Sequence, residues 1–179
     1  MANTKRVAMA GKLAAMVFPI AVGLAAATGA AAQDHKDLGT FNAWQAYSYS
    51  QGGGTRCTMA SQPSKDEGDY SKRGEIWAFV MHRPKEGATG EVGFHMGYPI
   101  KDGSTVEVTI GGSTFRLYAS GEGAYAWRDD EPKLINAMRA GSSMVVVGTS
   151  ARGTKTTDTY SLSGFTAANK AINAACNVN

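Results

Sequence analysis

Two runs of residues meet at the pair Gly111-Gly112, and their pattern constrains the fold more than any other feature of the chain. Residues 105–110 alternate polar and apolar side chains, which is typical of a β-strand with one buried face. The two glycines accept the positive φ that a two-residue hairpin turn requires. An antiparallel hairpin across this turn puts apolar and charged side chains on opposite faces in a single register. The predicted cross-strand pairs are Val106 with Leu117, Val108 with Phe115, and Glu107 with Arg116.

Further short β-type runs, separated by many of the chain's 22 glycines, fill most of the sequence. Residues 76–81 are apolar at every position, which predicts a strand that is buried on both faces and ends at Pro84. Residues 144–147 form a second predicted buried strand, with residues 156–162 as its hairpin partner. The polar segments predicted to lack regular structure are a loose leader at 33–40 and a solvated loop at 62–74.

Two segments carry helical signals. The acidic residues 129–131 precede Pro132, which is typical of a helix start, and Gly141 ends this short helix. Residues 166–176 are rich in alanine, present one apolar stripe, and have Thr166 as the predicted N-cap. The chain is therefore predicted to be all-β: an antiparallel β-sandwich or flattened barrel with one or two short helices, including a C-terminal helix.

The N-terminal segment has the organisation of a secretory signal peptide. Three basic residues within the first 12 positions precede an apolar stretch at 13–27, and small residues then lead to Ala32. The apolar stretch is shorter than the roughly 20 residues of a spanning helix. We expect cleavage after Ala32, before Gln33, which leaves residues 33–179 as a single domain. An uncleaved N-terminal anchor is the alternative.

Removing this segment changes what the charge implies. The whole chain has 18 Lys and Arg against 15 Asp and Glu, and residues 1–32 hold three of the basic residues and none of the acidic ones. The mature chain is therefore formally neutral, and the case for a nucleic-acid partner disappears. The mature chain has no other apolar run long enough to span a bilayer, so peripheral contact is the expected form of any membrane association.

The chain has two cysteines, Cys57 and Cys176, near opposite ends of the mature sequence. In an oxidising periplasm such a pair predicts a structural disulfide, whose loop of about 120 residues would stabilise the fold by about 5 kcal/mol on chain-entropy grounds. Two buried free thiols are the alternative. The wide spacing argues against a redox enzyme, which would use a C-x-x-C pair.

The sequence offers no catalytic or metal-binding pattern. The three histidines, His35, His82 and His95, lack the spacing of a zinc site. The Gly-x-Ser-x-Gly elbow of serine hydrolases is missing, so we expect no catalytic residues, no cofactor and no metal. The aromatic residues outnumber what a core alone needs, so some of them can form a binding face, although sheet packing explains most. The aromatic residues in question are Trp44, Tyr47, Tyr49, Trp77, Tyr98, Tyr118, Tyr125 and Trp127.

Five segments carry a family resemblance: residues 97–100, 126–127, 137–141, 150–154 and 158–165. The motif residues within the first and the last two of these are Gly97, Tyr98, Pro99, Arg152, Gly153, Thr154, Asp158, Tyr160, Ser161, Leu162, Gly164 and Phe165. With them the chain resembles the invasion-associated locus B family of Alphaproteobacteria over nearly all of its mature length. Many members carry a further cysteine shortly after the first-strand tryptophan, where this chain has Ser48.

The resemblance implies a small exported β-rich protein of the cell envelope, and some relatives are linked to host-cell invasion and virulence. It supplies no catalytic residues. We expect a non-enzymatic protein of the periplasm, outer-membrane-associated or secreted, that binds an envelope component or a host-cell surface. The alternatives are an envelope hydrolase with a site assembled across strands, and a periplasmic chaperone or assembly factor, which would need an unpaired sheet edge or an exposed apolar groove.

Overall fold

The structure is a computed structural model that describes residues 35–178. The predicted signal peptide and its cleavage position at Ala32 and Gln33 lie outside the described residues. The strands are β1 His35–Phe41, β2 Trp44–Gln51, β3 Gly54–Ser61, β4 Lys65–Gly68, β5 Trp77–Arg83, β6 Ala88–His95, β7 Thr105–Ile110, β8 Ser113–Ser120, β9 Gly123–Tyr125, β10 Ser143–Thr149 and β11 Lys155–Ser161. The helices are α1 Glu131–Ala140 and α2 Phe165–Ala175, and a 3₁₀ turn spans Pro84–Glu86.

The 11 strands form one antiparallel sheet in the order β1-β2-β3-β5-β6-β9-β8-β7-β10-β11-β4. The β7–β8 hairpin confirms the predicted register, with Val106 opposite Leu117 and Val108 opposite Phe115. On its outer face Glu107 and Arg116 form the expected pair at 3.3 Å. Because consecutive strands pair as hairpins through most of the sheet, the all-β antiparallel class is confirmed.

The sheet folds over a single core, so that strands far apart in its order touch. The indole Nε1 of Trp44 in β2 donates to the carbonyl oxygen of Ser161 in β11 at 3.0 Å. Phe94 of β6 packs edge-on against Tyr160 of β11, with ring centroids 6.0 Å apart. The edge strands β1 and β4 do not pair with each other, so within residues 35–178 the sheet is not closed into a barrel.

Both predicted helices are present. Helix α1 buries Leu134 and Met138, and α2 packs against the first strands of the sheet. The predicted N-cap Thr166 is wrong, because α2 begins after Gly164, whose φ is +89°. A β-carbon at this glycine would lie 1.8 Å from the carbonyl oxygen of Phe41, so the close approach of the two segments requires glycine.

The disulfide prediction is confirmed. Cys57 in β3 is bonded to Cys176, which directly follows α2, with the two Cα atoms 6.0 Å apart and a sequence separation of 119. Ile172 lies one turn earlier on the same buried stripe. The bond therefore fastens the end of α2 to the sheet that the helix covers.

Four sequence-based predictions need correction. Residues 35–41 of the expected leader form strand β1, paired with β2. Strands β5 and β10 alternate buried and half-buried residues rather than being buried on both faces. The outward side chain of Phe79 lies over Gly93 on the neighbouring strand β6, and it is half-buried. The expected solvated loop at 62–74 contains β4 and one deeply buried side chain, described below.

Candidate functional site

A cleft of 570 Å³ opens where three segments meet: residues 69–74, residues 97–99 and residues 150–156. We call it the motif cleft, because the last two segments carry motif residues named above. The residues that line the motif cleft are Asp69, Tyr70, Ser71, Lys72, Arg73, Gly74, Gly97, Tyr98, Pro99, Ser150, Ala151, Arg152, Thr154 and Thr156. Its size falls within the range of small-ligand pockets, about 300–1,000 Å³.

Backbone hydrogen bonds hold the three segments together. The N–H of Gly74 donates to the carbonyl oxygen of Gly97 at 2.9 Å, and the N–H of Ala151 donates to that of Pro99 at 2.8 Å. Gly97 has a φ of +70°, and a β-carbon there would lie 2.6 Å from the Gly74 carbonyl oxygen. The motif glycine thus allows two chain segments to come into direct contact, which shapes one wall of the cleft.

The second wall is a tight turn between β10 and β11. The N–H of Ser150 donates to the Thr154 carbonyl oxygen at 2.8 Å, and the N–H of Thr154 returns to the Ser150 hydroxyl at 3.2 Å. Gly153 occupies the left-handed region, with φ +90°. This turn holds the backbone of Arg152 at the mouth of the cleft.

A buried ion pair forms the floor. Arg73 donates from both terminal nitrogens to the two carboxylate oxygens of Asp158, at 2.6 and 2.7 Å, and from Nε to the Met96 carbonyl oxygen at 2.8 Å. The side chains are 4% exposed for Arg73 and 0% for Asp158. Burial raises the pKa of Asp158, and the guanidinium of Arg73 opposes that shift. The pair uses both carboxylate oxygens, so a fork-to-fork geometry fixes the floor.

Two tyrosine rings pack against the guanidinium of Arg73. The guanidinium carbon lies 5.5 Å from the ring centroid of Tyr70 and 4.9 Å from that of Tyr98. The Tyr98 hydroxyl shares a hydrogen bond of 2.6 Å with the Thr156 hydroxyl, while Tyr70 donates to Asp66. Burial, as the largest cause, raises the pKa of Tyr98, so this phenol stays protonated at neutral pH. The floor is therefore rigid, and its charge is internally balanced.

The mouth of the cleft has a different character. Lys72 and Arg152 are exposed, and neither forms a salt bridge with another residue of the described range 35–178. Asp69 is the acidic residue in the lining, while Ser71 and Thr154 add hydroxyl groups. A mouth with two cationic donors, several hydroxyls and one carboxylate is suited to holding an anionic, hydrogen-bonding ligand.

The motif residues divide between this cleft and the core. Gly97, Tyr98, Pro99, Arg152 and Thr154 line the cleft, Gly153 shapes its turn, and Asp158 anchors its floor. The others are structural. Tyr160, Leu162 and Phe165 are buried in the core, the Ser161 carbonyl accepts the Trp44 indole, and Gly164 begins α2.

Sequence reasoning missed the segment 69–74, because its charges show no periodicity. A usable signal was present in β11, where Asp158 occupies the inward face between Thr156 and Tyr160. A carboxylate at an inward strand position requires a cation from elsewhere in the chain. That requirement would have drawn attention to the basic residues of the supposed solvated loop.

The three histidine side chains lie in separate parts of the fold. His35 stacks on Tyr47, His95 faces Glu122 at 3.7 Å, and His82 is buried. The Gly90 N–H donates to Nδ1 of His82, whose Nε2 faces Asn173. Within residues 35–178, no three His, Cys, Asp or Glu side chains are grouped so as to hold a metal ion. None of the described helices has the length and apolar character needed to cross a membrane.

Comparison with known proteins agrees with this architecture. The family model described as "Invasion associated locus B (IalB) protein" matches residues 44–173. The chain therefore belongs to the invasion associated locus B family. The crystal structure of invasion associated protein b from Bartonella henselae is similar in fold, with a TM-score of 0.54 and 17% sequence identity over 76% of this chain and 95% of that chain. No curated protein matches the chain in sequence.

Proposed function

We propose that this chain is an exported, non-enzymatic binding protein of the cell envelope, and that its motif cleft holds an anionic group of an envelope component or a host-cell surface. The observation that carries the proposal is the pairing of a charge-balanced floor with an open cationic mouth. Arg73 is fully engaged by Asp158, whereas Lys72 and Arg152 retain their donors for a ligand.

The geometry supports binding over catalysis. The carboxylate of Asp158 is held by two guanidinium nitrogens at 2.6 and 2.7 Å, which leaves it without the freedom of a general base. His82 is bonded within the core, and His35 and His95 do not line the cleft. The cleft thus offers donors and hydroxyls arranged for recognition, without a nucleophile next to a base.

Export is supported by the N-terminal sequence and by the disulfide. A bond between Cys57 and Cys176 forms and persists in an oxidising compartment such as the periplasm. The formally neutral mature chain argues that binding depends on a local arrangement of charge rather than on overall attraction. Fractionation of cells that express the full chain would distinguish the periplasm, the outer membrane and the medium as its location.

The experiment is a binding titration of residues 33–179 against two probes: an oligogalacturonate, which carries carboxylates, and vesicles containing phosphatidylglycerol, which carry phosphates. The test variant combines Lys72→Ala with Arg152→Ala. The matched control combines Lys36→Ala with Lys170→Ala, which removes the same charge from exposed positions outside the cleft lining.

We expect the cleft variant to weaken binding to at least one probe by about tenfold or more, and the control to leave it unchanged. Which probe responds separates a saccharide source of the anion from a lipid source. Equal losses in both variants would mean diffuse electrostatics and would overturn the proposal. Turnover of either probe, or no binding to both, would do the same.

A further inference from the structure

A second concave surface lies away from the motif cleft and shares no lining residue with it. Ala88, Thr89, Glu91, Tyr118, Ala126, Trp127, Arg128 and Glu131 line a pocket of 270 Å³, which we call the aromatic pocket. Among residues 35–178, the exposed large apolar side chains are Trp127, at 57%, and Tyr118, at 39%, and both line this pocket. Placing the two together in water-facing positions needs a reason beyond sheet packing.

The two rings are held in place before any ligand arrives. Their centroids are 4.6 Å apart, and Tyr118 also rests on Tyr125 at 5.7 Å. Tyr125 in turn contacts Phe79 at 6.2 Å, so a row of aromatics crosses the outer face of β5, β9 and β8. The Trp127 carbonyl oxygen accepts the N–H groups of Asp130 and Glu131, which fixes the backbone of Trp127 at the start of α1. A platform of this kind loses little conformational entropy on binding.

The polar rim carries both signs of charge, and most of it is already paired. Glu91 is held by Arg83 through two hydrogen bonds of 2.6 Å. Arg128 donates to the Gly87 carbonyl oxygen at 2.8 Å, and Glu131 stands half-buried beside them. Burial, and next the charge of Glu91, raise the pKa of Glu131 to about 7. The lining holds two carboxylates and one guanidinium group, and Arg83, outside the lining, already balances Glu91, so the rim favours neither an anion nor a cation.

We propose that the aromatic pocket binds a neutral saccharide ring, with the apolar face of the sugar on Trp127 and Tyr118 and its hydroxyls at Glu91, Arg128 and Glu131. Carboxylates accept hydrogen bonds and guanidinium groups donate them, whereas a hydroxyl does both. A rim that offers both kinds of partner, next to an exposed indole, matches a ring that is apolar on its face and hydroxylated at its edge. The volume of 270 Å³ lies just below the range for drug-sized ligands, which suits one ring of a longer chain.

The test is a titration of residues 33–179 with soluble neutral oligosaccharides of glucose and of N-acetylglucosamine, followed by tryptophan fluorescence. Trp44 is fully buried and Trp77 half-buried, so a shift on binding reports mainly Trp127. We expect at least one oligosaccharide to bind, Trp127→Ala to weaken that binding by about tenfold or more, and Trp127→Phe to retain most of it. A calorimetric titration gives the affinity of the variants that lack the indole signal.

Controls separate this site from the motif cleft and from charge. The variant Arg152→Ala should bind the oligosaccharide as the wild type does, because Arg152 lines the motif cleft and not the aromatic pocket. High salt should leave the affinity unchanged, as expected for a neutral ligand. The proposal is overturned if none of the oligosaccharides binds or if Trp127→Ala leaves binding intact. It is also overturned if Trp127→Ala instead abolishes a concentration-dependent self-association, since that would make the pocket a contact between copies.

Discussion

Replacing Asp158 by Asn removes one negative charge from the floor of the motif cleft and leaves the Arg73 guanidinium buried without its counter-ion. The side chain of Arg73 is 4% exposed and that of Asp158 is 0% exposed, so little water can replace the lost interaction. Breaking a buried pair from one side costs about 3–5 kcal/mol, because an uncompensated charge stays in the interior. Since a domain of this size is stable by about 5–15 kcal/mol in total, the effect is a large fraction of the whole.

We expect only a small loss of stability when both partners are replaced. The double variant Arg73→Met with Asp158→Leu removes both charges and both desolvation costs. Its free energy of unfolding should therefore lie within about 2 kcal/mol of the wild-type value, even though each single change is costly. The coupling between the two positions is then large, whereas a pair that interacts weakly through water would show additive effects.

The assay is urea unfolding at equilibrium with the disulfide intact, and the free energy is extrapolated to zero denaturant. The matched control is Glu107→Gln, which breaks the exposed ion pair with Arg116. The side chain of Glu107 is 45% exposed and that of Arg116 is 74% exposed. We expect the control to cost less than about 1 kcal/mol. If Asp158→Asn also cost less than about 1 kcal/mol, the buried, bidentate description of the floor would be refuted.

Three further predictions concern stability. Cys57→Ser should lower the free energy of unfolding by about 5 kcal/mol, because the bond closes a separation of 119 residues, and a loss below about 1 kcal/mol in urea unfolding would contradict this. Gly97→Ala should destabilise more than Gly103→Ala in thermal melts: both have φ +70°, but only at Gly97 would the added carbon meet a carbonyl oxygen, at 2.6 Å, and equal effects would refute the clash. Burial lowers the pKa of His82 below 6.5, so the neutral ring's contribution is present above that pH and lost as the pH falls through the folded-state value. The melting temperature of the wild type should therefore fall more steeply from about pH 7 to about pH 5 than that of His82→Gln, and parallel profiles would show that His82 is not responsible.

The parts of the fold that the sequence predicts well are those set by neighbouring residues. The β7–β8 hairpin follows from a local alternation and two glycines, so even its cross-strand pairs are correct. The same holds for α1, whose start is marked by acidic residues and Pro132, and whose end is marked by Gly141. The disulfide is predictable for a different reason, since two cysteines in an oxidising compartment have a single possible intramolecular pairing.

The parts that escape prediction depend on contacts between distant residues. Arg73 and Asp158 are 85 positions apart, and nothing near Arg73 in sequence shows that its side chain is buried. Strand β1 is polar at most positions, and its place in the fold depends on pairing with β2 and on Leu38 and Phe41 packing against the core. The run at 76–81 is apolar throughout, yet the outward residues of β5 are half-buried, and Phe79 among them contacts Tyr125 of β9. Periodicity cannot distinguish that partial cover from a second packed layer.

The candidate site shows the same division. The resemblance singled out Gly97, Tyr98, Arg152 and Thr154, which meet in the motif cleft. It could not show that residues 69–74 form one side of the cleft, because those residues are brought in by the ion pair and by the Gly74–Gly97 hydrogen bond. Long-range contacts thus supplied both the floor of the cleft and the cation Lys72 at its mouth.

Anion binding in the motif cleft is tested directly by mapping where an anionic ligand touches the protein. Residues 33–179, labelled with ¹⁵N, are titrated with oligogalacturonate and, separately, with glycerol phosphate, and amide shift changes are assigned. We predict that, for at least one of the two ligands, the largest changes fall on Gly97, Arg152 and Thr154 and vanish in the Lys72→Ala, Arg152→Ala double variant. Changes scattered over exposed lysines such as Lys36 and Lys170, with the cleft amides unmoved, would contradict it.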